Sequence, residues 1–258
     1  EQSLRGAAAG ESAIVWLSGK TGSGKTHTLM QARLAAQLRG LHTLEISFAG
    51  GGDASAVLAK TVGMHRRAET HSCSWLEPLD PRHGGTPFQR TQRAAEAYFS
   101  EAAPPLVFLL DDYDHAETES RILVEALMAE CSRREKQPNQ ARGLCIILAT
   151  TRAPKKKPGR CRTLHLGPLD TTDARKLLLT LLGAISLPDE VVRRAVIEAG
   201  GNPLRLRQIS RALRQEWMQG GDIPRTVEMP DFPPVPSRAR RDVWMILQPF
   251  DREVAEVL

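Results

Sequence analysis

Gly19-Lys20-Thr21-Gly22-Ser23-Gly24-Lys25-Thr26 is the segment from which the architecture of this chain follows. It matches the pattern G-x-x-x-x-G-K-[ST] in full, and it lies between an apolar run at Ala13–Ser18 and a helical pattern from about Gly24 to Arg39. Glycines let such a loop curl until its amide N–H groups point inward, and the following helix adds the positive end of its dipole. The segment therefore predicts a phosphate-binding loop between a buried strand and a helix.

The side chains of this loop have predicted roles in holding a nucleotide and a magnesium ion. Lys25 is expected to bridge the β- and γ-phosphates, and the hydroxyl of Thr26 is expected to bind Mg²⁺. The ligands predicted here are thus ATP or ADP and Mg²⁺. The residues expected to contact the nucleotide are Gly19, Thr21, Gly22, Ser23, Gly24, Lys25, Thr26 and His27.

Two acidic residues follow another apolar run. Leu106–Leu110 predicts a strand buried on both faces, and Asp111 and Asp112 come directly after it. In phosphoryl-transfer sites an acidic residue after such a strand holds the magnesium ion. Asp111 is therefore expected to hold Mg²⁺, and Asp112 is expected to polarise the attacking water. The alternative for both is a loop pair that caps the next helix.

A third candidate group follows the apolar run Leu144–Ala149, which ends in Thr150-Thr151-Arg152. In open parallel sheets the ligand lies at the carboxyl edge of the strands, so this run delivers two hydroxyls and a guanidinium to that edge. Arg152 is expected to bond the γ-phosphate and to report its presence. An ordinary surface arginine is the alternative.

Strands and helices alternate as far as Leu169, and only helices follow. The alternation predicts parallel pairing through right-handed crossovers, and hence a three-layer α/β sheet followed by an all-helical lid. The predicted domains are residues 1–169 for nucleotide binding, the lid at 170–222, a Pro-rich linker at 223–236 and a further helical part at 237–258. The remaining predicted elements are strands at Leu41–Phe48 and Thr163–Leu166 and helices at Ala54–Val62, Phe88–Ala102, Glu119–Arg134, Thr172–Leu182, Pro188–Ala199 and Pro203–Gln219.

Composition excludes several classes of protein. No apolar run is long enough to span a bilayer, so we expect a soluble cytoplasmic protein without a membrane partner. The four cysteines show no close pairing, which disfavours a zinc site and a secreted disulfide framework. The net charge of +5 is compatible with nucleic acid without requiring it. The basic segment from Arg152 to Arg162 has no interleaved aromatics, and a solvated loop is its better interpretation.

These elements in this order resemble the STAND family of signal-transduction ATPases, which are relatives of AAA+ proteins and include NLR-type receptors and MalT-like regulators. The resemblance covers about Ala13–Gln219. It rests on the phosphate loop, the acidic pair, the strand end at Thr150 and the segment Gly201-Asn202-Pro203-Leu204, which is similar to the family's G-x-P motif. It implies a P-loop NTPase fold, with Pro203 near the adenine and a winged-helix domain starting after Ser237.

The resemblance also implies a function. Bound ADP would keep the lid and the sheet domain closed, ATP would open them, and slow Mg²⁺-dependent hydrolysis would reset this regulatory switch. Additional sensor or effector domains and a nucleotide-dependent oligomer are the implied partners. The chain begins with Glu1 and ends inside a predicted helix at Asp251–Leu258, so we expect it to be part of a longer protein.

The alternative is an AAA+-type oligomeric ATPase that acts as a motor or loader, with DNA as a candidate substrate. In such a ring, Arg160 or Arg162 would reach the site of a neighbouring subunit as an arginine finger. Arg205 or Arg207 in the lid is consistent with either function. The family's usual Arg-Glu pair before the first strand is missing, and only Glu1–Arg5 holds a remnant, so adenine contacts on that side stay unassigned.

Overall fold

The computed structural model describes residues 2–49, 77–78, 81–100, 105–134, 143–153, 161–183 and 185–218. The predicted elements at 54–62, 223–236 and 237–258 lie outside these ranges. The strands are β1 Ala13–Gly19, β2 His42–Ser47, β3 Leu106–Asp111, β4 Leu144–Thr150 and β5 Cys161–Leu166. The helices are α1 Gln2–Ala8, α2 Lys25–Gln37, α3 Pro87–Ser100, α4 Thr118–Arg134, α5 Thr171–Leu182, α6 Asp189–Ala199 and α7 Pro203–Met218, with short 3-10 turns at Pro81–His83 and Tyr113–His115. None of the described helices is long and apolar enough to cross a membrane.

The strands form one parallel five-stranded sheet in the order β2-β3-β4-β1-β5. β1 runs between β4 and β5, so that Ser18 lies level with Thr150 on one side and with His165 on the other. β3 pairs with β2 on its far side, where Asp111 lies level with Ser47. The predicted α/β fold with a parallel sheet between helices is confirmed, and the carboxyl ends of all strands share one edge.

Alternating side chains of the central strands build two core layers, one on each face of the sheet. On one face, Leu17 of β1 and Val107 of β3 pack with Leu29 of α2. On the other face, Trp16 and Phe108 pack with apolar residues of α3 and α4. Strands covered on both faces need apolar side chains throughout, which is why β1, β3 and β4 read as continuous apolar runs.

The start of the chain forms a short helix, α1, which the sequence patterns do not predict. Its buried residues, Leu4 and Ala7, join the core layer that contains α2. A helix of 7 residues is too short to be stable by itself, so packing against the sheet must stabilise it. Gly143 permits the close approach, because a Cβ at this position would lie 2.6 Å from the carbonyl carbon of Ala7.

Gly143→Ala is expected to lower the free energy of unfolding by about 1–3 kcal/mol, because the added Cβ would overlap backbone atoms that cannot rotate away as a side chain does. Gly167→Ala is the matched control. Neither glycine has a positive φ, and a Cβ at Gly167 would meet nothing within 4 Å. Urea denaturation of both variants measures the difference, and equal stabilities would contradict the packing of α1 on the sheet.

The helices after β5 pack against one another as a separate all-helical layer. Asp170 caps α5: its Oδ1 accepts a hydrogen bond of 2.8 Å from the N–H of Asp173. Gly200 ends α6 in the left-handed conformation, at φ 56°. Pro203 is the first residue of α7, where its missing N–H costs nothing. These caps fix where each lid helix begins and ends.

Candidate functional site

The phosphate loop connects β1 to α2 at the carboxyl edge of the sheet. Gly22 and Gly24 have φ of 81° and 93°, a region that glycine enters without the steric cost of a Cβ. The N–H of Ser23 donates to the carbonyl of Lys20 across the loop at 3.1 Å. Gly24 precedes α2 directly, so the loop ends at the positive end of the helix dipole.

Lys25 lies at the base of this loop with only 7% of its surface exposed. Its Nζ donates to the carbonyl oxygens of Gly19 at 2.8 Å and Lys20 at 3.2 Å. The positive charge of this ammonium group adds to the positive end of the α2 dipole at the base of the loop. The loop is therefore an electrostatically favourable site for an anion, as a phosphate site must be.

Thr26 and Asp111 meet beside the loop, although they are 85 positions apart in the chain. The Thr26 hydroxyl donates to Oδ2 of Asp111 at 2.7 Å, and Oδ1 of Asp111 accepts from the N–H of Asp112 at 2.9 Å. Asp111 is 6% exposed. A hydroxyl and a carboxylate at the mouth of a phosphate loop are the hard oxygen ligands that Mg²⁺ prefers, so the residues present fit this ion.

Asp112 has an unusual backbone for a residue with a side chain. Its φ of 54° and ψ of 37° lie in the left-handed region, and its side chain is buried. Aspartate tolerates this region better than most residues, yet the conformation still costs free energy and is found often at functional sites. Asp112 precedes the 3-10 turn Tyr113–His115 but makes no side-chain capping bond to it, so the alternative of a helix-capping pair is not supported for this residue.

A third acidic residue near Asp111 and Asp112 was missed by the sequence analysis. Glu45 lies in β2 on the side facing α2, and Arg33 of α2 contacts its carboxylate at 3.3 Å. The pKa of Glu45 is raised, mainly by burial and further by the negative charge of Asp111, while the positive charge of Arg33 opposes this shift. The only sequence signal was one acid between the apolar residues Leu44 and Ile46 of a predicted strand.

The end of β4 does not present both hydroxyls as predicted. Thr150 is buried, and its Oγ1 accepts from the indole N–H of Trp16 at 2.7 Å and donates to the carbonyl of Arg152 at 2.7 Å. The hydroxyl therefore fixes the backbone of the strand end rather than pointing to a ligand. The N–H of Thr151 donates to the carboxylate of Asp114. Arg152 itself is exposed at the edge, as a residue that reads a ligand requires.

The lid contacts the phosphate loop directly, within the compact unit Glu1–Arg225. Asn202 Nδ2 donates to the carbonyl of Thr21 at 3.0 Å, and the N–H of Leu204 donates to the carbonyl of Gly22 at 3.2 Å. Pro203 lies between these two residues and is half-buried. The structure thus places Pro203 between two residues that are bonded to the phosphate loop.

The other predicted residues have simpler surroundings. His27 is exposed on the first turn of α2. Arg162 is exposed on the edge strand β5, and its Nη1 donates to Oε1 of Gln2 at 2.9 Å. Arg207 is half-buried, and its pKa is lowered mainly by burial and to a smaller extent by the positive charge of Arg211. Arg205 is exposed, and Arg160 lies outside the described residues.

Comparisons with known proteins identify the same architecture. The fold is similar to the Thermotoga maritima RuvB Holliday junction branch migration motor, at 13% identity and a TM-score of 0.54, over 86% of this chain and 61% of that chain. It is similar to a STAND protein with a tetratricopeptide repeat sensor from Pyrococcus horikoshii, at 18% identity and a TM-score of 0.53, over 86% of this chain and 32% of that chain. It is also similar to AMPPCP-bound DnaA from Aquifex aeolicus, at 18% identity and a TM-score of 0.50, over 85% of this chain and 61% of that chain.

The chain spans about three fifths of the length of the RuvB and DnaA chains, so these likenesses concern the shared fold. A search of curated protein sequences gave no match. A family model for the AAA ATPase domain matches residues 1–147, which is more than half of the 258 residues. With its phosphate loop and its parallel sheet, the chain therefore belongs to the AAA ATPase domain family.

Proposed function

We propose that this protein is an ATP/ADP-binding regulatory switch that hydrolyses ATP slowly with Mg²⁺. The observation that carries the proposal is the pair of hydrogen bonds from the lid, at Asn202 and Leu204, to the phosphate loop. Because the lid is bonded to the loop that holds the phosphates, a change at the phosphates changes the free energy of the closed arrangement. A ligand that interacts differently with two arrangements shifts their populations, which is what a switch requires.

The residues have distinct roles in this proposal. The loop amides and Lys25 bind the phosphates, while Thr26 and Asp111 hold Mg²⁺. The ion supplies charge neutralisation and orientation of the terminal phosphate when it is bound. Asp112 polarises the attacking water.

Arg152→Ala is expected to weaken ATP binding about 5- to 30-fold more than ADP binding. Only ATP offers the γ-phosphate, and an exposed guanidinium contributes about 1–2 kcal/mol to such a contact. Calorimetric titration of both nucleotides measures the two losses separately. Arg194→Ala, an exposed arginine of α6, is the control and should change neither affinity. Equal losses for ATP and ADP would make Arg152 a structural residue and remove the proposed sensor.

A second candidate function, an oligomeric motor or loader acting on DNA, is favoured by the likeness to the RuvB motor. Of its two proposed fingers, Arg162 donates to Gln2 within the same chain, and Arg160 lies outside the described residues. Mass spectrometry of the nucleotide that copurifies with the protein separates the two functions. Retained ADP supports the switch, whereas an empty site together with ATP turnover stimulated by DNA overturns it in favour of the motor.

A further inference from the structure

Asn202 makes hydrogen bonds with both ends of its side-chain amide. Its Oδ1 accepts from the N–H groups of Leu204 at 3.0 Å and Arg205 at 3.3 Å, which caps the start of α7. Its Nδ2 donates to the carbonyl of Thr21, 181 positions away in the chain, at 3.0 Å. Capping needs only the acceptor end. The donor end is therefore available for a second role.

The loop and the lid fit closely at this point. A Cβ added to Gly22 would lie 2.5 Å from Oδ1 of Asn202 and 2.9 Å from Cβ of Leu204. The segment is held on its other side as well, because the carbonyl of Gly201 accepts from the N–H of Leu169 at 2.8 Å. Asn202 thus lies in a segment bonded both to the loop and to the chain that enters the lid.

The two lid contacts fix the directions of loop amides. In a planar trans peptide the C=O and the following N–H point in opposite directions. When Asn202 holds the carbonyl of Thr21 toward the lid, the N–H of Gly22 must point away from the lid. The same reasoning applies to the next peptide, whose carbonyl accepts from Leu204 and whose N–H, on Ser23, donates across the loop to Lys20.

We propose that Asn202 is a positioning residue for phosphate binding, because it holds the Thr21–Gly22 peptide so that the Gly22 N–H faces the phosphates. The same hydrogen bond makes docking of the lid depend on the conformation of the loop. The proposal rests on the proposed function for its nucleotide consequences only. The lid–loop bond itself is a contact between two parts of the chain, so its effect on the loop can be measured without adding nucleotide. Each consequence can therefore be measured by itself.

Three substitutions separate positioning from capping. Asn202→Asp and Asn202→Ser keep an acceptor that caps α7. The ionised aspartate has no donor and would repel the Thr21 carbonyl, and the serine hydroxyl ends one bond short of the amide nitrogen that makes this contact. Asn202→Ala removes both functions. The expected result is a loss of ADP affinity of about two- to tenfold for the serine variant and a larger loss for the aspartate variant. Hydrogen exchange of peptides covering 19–25 should become faster in both, without nucleotide.

If hydrogen exchange of the loop is as slow in the aspartate and serine variants as in the wild type, and only the alanine variant is less stable, the proposal is overturned and Asn202 is a helix cap only. If the wild-type protein binds no ADP, the proposed function fails, and the exchange experiment still decides the role of Asn202. Circular dichroism should show unchanged helix content in the aspartate and serine variants. A loss of α7 there would also count against the proposal, because it would trace the effect to capping.

A glycine pair provides a test that leaves Asn202 intact. Gly22→Ala and Gly24→Ala introduce the same strain, because both residues have positive φ, but only the Cβ at Gly22 would meet the lid. Without nucleotide, Gly22→Ala should increase hydrogen exchange at the start of α7, around residues 202–206, about two- to tenfold over Gly24→Ala. Equal exchange in the two variants would contradict the lid–loop contact on which the proposal depends.

Discussion

Lys25→Ala is expected to lower the affinity for ATP and ADP by about 100-fold or more, the largest binding effect predicted for this protein. The ammonium group can make charge-assisted hydrogen bonds to two phosphates, each contributing about 1.5–3 kcal/mol. In the structure it is buried and donates to the carbonyls of Gly19 and Lys20, so the protein itself fixes its position within the loop. Little ordering entropy is therefore lost on binding.

Lys20→Ala is the matched control for this prediction, because Lys20 belongs to the same loop but is exposed and contributes its carbonyl rather than its ammonium group to the Lys25 contact. Titration of a fluorescent ATP analogue into both variants measures the affinities. The control should bind within about threefold of wild type, as expected for an exposed charge. Unchanged affinity in Lys25→Ala would remove the phosphate loop as the nucleotide site.

The phosphate loop and the acidic pair could be predicted because each depends on local sequence. The glycines of the loop allow it to curl with its N–H groups pointing inward between the strand and the helix. A buried apolar strand ends where polar residues begin. Parallel topology then places Gly19, Asp111 and Thr150 at one edge of the sheet, since all strands end there. This topology brings Thr26 and Asp111 close together, whereas the hydrogen bond between their side chains is seen only in the structure.

Contacts that depend on side-chain direction could not be predicted in the same way. The Thr150 hydroxyl turns inward to the indole of Trp16, 134 positions away, because a buried indole N–H needs an acceptor. Glu45 faces Arg33 and Asp111 only once β2 has paired with β3 and α2 has packed on that face. Hydrophobic periodicity carries no information on such partners.

The remaining differences between the predicted and the observed structure concern elements that are stabilised by tertiary contacts. Helix α1 has few residues and a glycine in its interior, so its local sequence predicts little helix, and the burial of Leu4 and Ala7 stabilises it. The Asn202–Thr21 bond likewise joins segments that sequence analysis assigned to different domains. The motif around Pro203 indicated a nucleotide-linked lid, but which residue touches the loop became evident only from the structure.

Asp111→Ala is expected to reduce Mg²⁺-dependent ATP hydrolysis by about 100-fold or more while nucleotide affinity changes by less than about tenfold. The loop amides and Lys25 make the phosphate contacts, whereas the carboxylate mainly holds the metal through its position beside Thr26. Turnover and binding should therefore separate in this variant. Phosphate release measured with and without EDTA, next to calorimetric titration of ADP, records both quantities.

Asp111→Asn distinguishes the charge of this residue from its place in the fold. The amide retains an oxygen that can accept from the Asp112 N–H and so preserves the strand end, but it lacks the negative charge that makes a carboxylate a strong ligand of a divalent ion. If Asp111 acts through the metal, the asparagine variant should be as inactive as the alanine variant while unfolding at the wild-type temperature. Glu117→Gln, an exposed acid before α4, should hydrolyse ATP normally. Normal, EDTA-sensitive turnover in Asp111→Asn would show that the magnesium is held elsewhere, with Glu45 as a further acid to test, since the negative charge of Asp111 raises its pKa.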